Sequence, residues 1–136
     1  MAEQGERGEQ LVREFFETLS TGDLEKLRPL FHEDASWTAM GTGIPGAGTH
    51  KGRDYIIDEF LAPVRGMFKE GDPKIEIKNV VGRGHLVGAE TTAYGQFADG
   101  RDYRNNYCWM VEIKDDKIYA LREYMDTHYI STLVGE

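Results

Sequence analysis

At Lys74 the hydrophobic pattern of this chain changes period. Upstream, Leu11, Val12, Phe15, Phe16 and Leu19 recur at helical spacing over Glu9 to Leu19, with Arg13, Glu14 and Glu17 on the opposite face. Downstream, "KIEIKNVV", "HLVGAETTAYGQF", "DYRNNYCWMVEI" and "KIYALREYM" are strand-like runs. They are joined at Gly82 to Gly84, Asp99-Gly100 and Asp115-Asp116, residue types that suit tight hairpins. Helices followed by an antiparallel meander read as an α+β protein, a curved antiparallel sheet wrapping three N-terminal helices, since neither layer buries its apolar face alone.

The intervening segments fit that plan. Ser20-Thr21-Gly22 breaks the first helix, Asp23 is a good N-cap for a second over Leu24 to Leu30, and "EDASWTAM", Glu33 to Met40, reads as a strand. A third helix begins near Gly52 and meets Pro63 late. Between strand and helix lies "MGTGIPGAGTHKG", where Gly41, Gly43 and Gly46 have the spacing G-x-G-x-x-G. A dinucleotide site needs the helix to start at the last glycine and a parallel strand to follow, and a phosphate loop needs a lysine after the glycines. Both are missing, so Gly41 to Gly52 reads as a flexible loop.

At 136 residues the chain is sized for a single domain, read as residues 9–136 behind a flexible tail at 1–8. A net charge of −8 with scattered Lys and Arg argues against nucleic acid, and no run is long and apolar enough for a membrane span. One cysteine, Cys108, excludes an internal disulfide, and four dispersed histidines suggest no metal site. The expected compartment is the cytoplasm.

"STGDLEKLRPLFHEDASW", "HKGRDYIIDEF", "YRNNY" and the close "DDKIYALREYMDTHY" come in an order that resembles the nuclear-transport-factor-2-like superfamily, in particular its SnoaL-like and ketosteroid-isomerase-related branch. The resemblance implies a cone with an apolar pocket for a small hydrophobic or carbonyl-bearing molecule, no cofactor, and a homodimer packed through the outer sheet face. It also tests known chemistries position by position. The proton-shuttling aspartate of ketosteroid isomerases falls at Ala39, and the aspartate of their oxyanion hole near Trp109. The Arg-x-Asp pair of limonene epoxide hydrolases falls at Thr91 and Ala93, with their Tyr and Asn at Trp37 and Ala39. The last-strand acid of SnoaL-like cyclases is matched by Glu123, with Leu121 where the family has histidine.

Strand alternation puts Tyr103, Asn105, Tyr107 and Trp109 on one face and Leu121, Glu123 and Met125 on another. With these faces turned into the cone, Glu123 is the expected general base and Asn105 the carbonyl-polarising partner. Trp37, Tyr55, Thr91, Tyr103, Tyr107, Trp109, Leu121 and Met125 are the expected lining. A carboxyl among aromatics has its charged form disfavoured, which raises its pKa toward general-base use. A register slip of one would bring Asp126 and Tyr124 inward instead. His50 in the glycine loop and His128 beyond the last strand are further candidates, whereas His32 reads as a helix cap, His85 as an exposed turn residue and Cys108 as outward-facing. The alternatives at this point are a cofactor-free isomerase, cyclase or lyase, and a non-catalytic small-ligand-binding or assembly protein of the same fold.

Overall fold

Helix α1 (Ala2–Thr21) starts well upstream of Glu9 in the computed structural model, which describes residues 2–134. The segment read as a flexible tail is therefore helical from Ala2 onward. Its glycines form a docking surface: a Cβ on Gly5 would stand 2.7 Å from the Gly82 carbonyl oxygen, and one on Gly8 2.9 Å from the Val87 side chain. Glu9 adds a bond, its Oε2 accepting the Gly82 N–H at 2.8 Å. Each glycine costs a helix about 1 kcal/mol against alanine, and here that cost permits close approach to the sheet.

Asp23 caps α2 (Leu24–Leu27), accepting the Lys26 N–H at 3.2 Å, and a 3-10 turn over Arg28–Leu30 carries Pro29. The third helical region comprises α3 (Arg53–Tyr55), a π-helical segment Ile56–Leu61 and α4 (Ala62–Gly66). The wider π turn lies just ahead of Pro63, whose ring would clash with the carbonyl four residues earlier in a regular α-helix. Arg28 ties α2 to this region through Asp54 at 2.9 Å and Asp58 at 2.8 Å.

Six strands form one curved sheet: β1 (Phe31–Ala39), β2 (Gly48–Lys51), β3 (Lys74–Arg83), β4 (Leu86–Gln96), β5 (Asp102–Lys114) and β6 (Lys117–Met125). Their order is β2-β1-β6-β5-β4-β3. The last four make the antiparallel meander read from the sequence. The sheet is mixed rather than wholly antiparallel, because β1 pairs with β6 in parallel, Trp37 opposite Leu121 and Ala39 opposite Glu123. Part of the glycine loop is also ordered. Residues 48–51 are β2, pairing with β1 so that His50 lies opposite Trp37, and Ile44 is buried. Register shifts in β1, β3 and between Glu112 and Ile113 bend the strands. A further helix, α5 (Thr127–Val134), follows β6.

The concave face of the sheet packs on α1. Val12, Phe15, Phe16 and Leu19 meet Trp37, Trp109, Val87, Val111, Ile118 and Leu121, with Ile56, Ile57 and Leu61 from the third helical region. A smaller cluster of Phe68, Ala93, Phe97 and Tyr103 closes the other end under Tyr129 and Ile130 of α5.

Candidate active site

Register explains why one carboxyl ends up inside. Glu123 on β6 is flanked by Ala39 of β1 and Trp109 of β5. Ala39 leaves room for the side chain, and Trp109 walls it. The Trp37 indole N–H donates to Glu123 Oε1 at 2.9 Å. Burial pushes the Glu123 carboxyl up to about 7, opposed only by this bond, which favours the charged form. Part of the residue still reaches solvent. No basic side chain acts on it among the described residues. The half-buried Arg65 is engaged elsewhere, donating to the Leu19 carbonyl at 2.9 Å and the Pro73 carbonyl at 3.0 Å.

Around it the aromatic walls interlock. Trp37 meets Trp109 edge-on at 5.6 Å and Phe60 at 5.6 Å, while Tyr107 stacks on Trp109 at 5.4 Å. Trp109 donates its indole N–H to Thr91 Oγ1 at 2.9 Å, satisfying both buried groups. Of the expected lining, Trp37, Thr91, Tyr103, Tyr107, Trp109, Leu121 and Met125 share the concave side with Glu123.

Other expected site residues lie elsewhere. Tyr55 is 50 % exposed and stacks outside on His50 at 6.2 Å, because its helix turns Ile56 and Ile57 inward instead. Asp126 is exposed and accepts the Tyr129 N–H at 3.0 Å, capping α5. His128, also exposed, sits in the first turn of that helix. His50 stacks on Phe60 at 4.1 Å, with Nε2 2.8 Å from the Gly46 carbonyl, and Phe60 in turn meets Trp37. Asn105 is on the correct face but only 3 % exposed, and its amide serves protein partners. Nδ2 donates to the Asp126 carbonyl at 3.4 Å and Tyr103 Oη at 3.3 Å, and Oδ1 accepts the Asn106 N–H at 2.9 Å. It has no donor left for a ligand carbonyl. Outside the site, His32 pairs with Asp115 at 3.4 Å, and His85 and Cys108 are exposed.

Several residues near the site were missed in the sequence. Phe60 reads as an ordinary helix apolar, Ile44 is a lone apolar in a glycine loop, and Tyr129 lies in a helix too short to show periodicity. Two hollows lie away from Glu123. One of about 720 Å³ runs along α1, lined by Arg7, Leu11, Glu14, Ile113 and Asp115; one of about 440 Å³ lies on the convex face, lined by Lys78, Glu90, Thr92, Arg104 and Asn106. Neither is lined by Glu123, which Trp37 and Trp109 flank.

An amphipathic helix laid into a curved, unclosed sheet, with a last-strand acid facing inward, defines an α+β protein of the nuclear-transport-factor-2-like class. Solved structures of that fold superpose over nearly the whole chain. Bal32a from a soil-derived mobile gene cassette is 25% identical with a TM-score of 0.82, covering 93% of this chain and 95% of its own. An NTF2-like protein from Burkholderia xenovorans is 25% identical with a TM-score of 0.73, covering 94% and 95%. TerC, co-crystallised with polyporic acid, is 20% identical with a TM-score of 0.81, covering 96% and 99%. The SnoaL-like domain model matches residues 12–121, and the chain belongs to that family. No curated protein matches the sequence closely enough to count as a relative. No described helix is long and apolar enough to cross a membrane.

Proposed function

We propose that the protein binds a small hydrophobic, carbonyl-bearing molecule on the concave side of the sheet and acts on it as a cofactor-free isomerase, cyclase or lyase, with Glu123 as general base. One observation carries the reading: a lone carboxyl, pushed up to about 7 by burial, held by Trp37 and free of any cation among the described residues. Structural carboxylates of this depth are ordinarily paired, since an unpaired buried charge is costly. An unpaired one near neutrality is suited to proton transfer. Ionised Glu123 would take a proton from the carbon next to the carbonyl, the C–H electron pair would move into the new C=C bond, and the oxygen would become the enolate. The filled interior implies that side chains at the strand ends, near Ile44 and α5, shift to admit the ligand. Polyporic acid bound to TerC, a protein of the same fold, is compatible with a small organic ligand here.

A panel of enolisable ketones in heavy water tests this, with α-proton exchange followed by NMR. Wild type should accelerate exchange for at least one member, with the rate rising with pH to a plateau above about 7, and Glu123→Gln should lower it by about 100-fold or more. Exchange no faster than in buffer, or unchanged in Glu123→Gln, refutes the role.

The packed interior favours a second reading, a non-catalytic assembly protein. Tyr94 and Tyr124 are part-exposed on the convex face, alongside the hollow at Thr92 and Asn106. Under either reading we assign the homodimer to this face and the protein to the cytoplasm.

A further inference from the structure

Between β1 and β2 the chain buries one apolar side chain in an otherwise exposed run. Ile44 is 9 % exposed, whereas residues 41–43 and 45–47 all face solvent. Its place is beside the strand ends that carry Glu123. The Met40 N–H donates to the Glu123 carbonyl at 2.8 Å, and a Cβ on the next residue, Gly41, would stand 2.9 Å from Thr127 Cγ2 and 3.2 Å from Ile44 Cδ1. Ile44 therefore turns in where the ends of β1 and β6 meet the start of α5. It belongs to neither hydrophobic cluster, so it can leave its seat without opening the core.

The far side of the same loop is fastened by His50. The Gly46 carbonyl can only accept, so His50 Nε2, 2.8 Å away, carries a proton and donates it. The imidazole also stacks on Phe60 at 4.1 Å, and the Phe60 ring is so near Gly46 that a Cβ there would stand 3.1 Å from it. Phe60 meets Trp37 at 5.6 Å, and Trp37 holds Glu123. A line of contact thus runs from the loop to the carboxyl. Phe60 itself belongs to the π-helical segment Ile56–Leu61, a wider turn of the kind that recurs at functional sites. The burial of Ile44, the His50 bond and the Phe60 ring are few enough contacts to release locally while the core stays packed.

We infer that residues 41–47 are a gate over the Glu123 site, with Ile44 as its plug and His50 as its latch, and that a small hydrophobic ligand enters when the segment swings away. This rests on the reading of the concave side as the ligand site. Gly41 and Gly48 bound the gate as hinges, at φ 152° and 104°, backbone conformations that residues with side chains rarely adopt. The packed arrangement is then the closed form, and opening releases Phe60 from the His50 stack beside Trp37. His50 acts as a positioning residue, because its Nε2 proton is held by Gly46 rather than offered to a ligand.

Acrylamide quenching of tryptophan fluorescence in the full chain tests the gate, since Trp37 and Trp109 are both nearly fully buried and Trp37 adjoins Phe60. Ile44→Gly removes the plug and His50→Ala the latch, and each should raise the quenching constant about threefold or more in the folded protein. Thr42→Ala, an exposed change in the same loop, should leave it within about 1.3-fold of wild type. Ile118→Val, in the core away from the loop, should lower the urea midpoint yet keep quenching within about 1.3-fold. Unchanged quenching in folded Ile44→Gly or His50→Ala, or an equal rise in Ile118→Val, would overturn the inference. Should Ile44→Gly fail to fold, His50→Ala decides alone. The readout is separate from the chemistry of Glu123: failure of the ketone exchange would remove the base and leave these contrasts standing, whereas flat quenching would remove the gate and leave the base.

Discussion

If burial alone raises Glu123, the carboxyl destabilises the protein at neutral pH, and Glu123→Gln should reveal it. Folding lifts its pKa from an ordinary 4.5 to about 7. Between those values the folded state holds a proton that the unfolded chain has released, so the residue's contribution to stability is full below about 4.5 and falls as pH rises through about 7. At about 1.4 kcal/mol per pH unit the undiscounted loss is about 3.5 kcal/mol, and solvent that still touches the carboxyl reduces it to about 2–3 kcal/mol. Glutamine keeps an oxygen to accept the Trp37 N–H and does not titrate. The stability of Glu123→Gln minus that of wild type should therefore be flat below pH 4.5, rise by about 2–3 kcal/mol up to about pH 7, and be flat beyond. Urea unfolding at each pH, read by the buried Trp37 and Trp109, measures the difference. A gap constant from pH 4 to 8, or one that narrows as pH rises, would refute the claim that desolvation controls this group.

Two more predictions concern surfaces. Gly5→Ala adds a Cβ 2.7 Å from the Gly82 carbonyl, so despite a helix-propensity gain of about 1 kcal/mol it should destabilise the fold by about 1 kcal/mol net; a higher urea midpoint would mean the start of α1 is not docked. Sedimentation should give about twice the 15.4 kDa chain mass, reduced to one chain by Tyr124→Glu on the convex face, and a monomeric wild type would remove the dimer.

The sequence disclosed the elements whose patterns are local. The α1 stripe, the Asp23 cap, the β3–β6 meander and the inward set of Glu123, Tyr107 and Trp109 all follow from period and turn chemistry. What stayed hidden depends on distant partners. Gly5 and Gly8 fall in the segment read as a flexible tail, and their role shows only once Gly82 and Val87 are seen against them. "GTHK" has no strand signature, and pairs only because β1 offers an edge. Asn105 looked like a free amide because nothing local reveals Asp126 and Tyr103 as its acceptors. Asp126 looked like an inward acid under a one-residue register slip for the converse reason, since a capping role appears only when a helix follows.

The parallel pairing of β1 with β6 has a consequence for how the chain reaches this state. Trp37 is made early, but its neighbour Leu121 and its acceptor Glu123 arrive more than eighty residues later. During synthesis, β1 has only the short β2 beside it, with an aromatic row and an open edge exposed. Closing so long a loop precedes any reward from the contacts, which slows folding and leaves a sticky intermediate. Nascent chains stalled before Leu121 should thus be the form most in need of a chaperone, and the strand that carries Glu123 is also the one whose arrival seals the sheet.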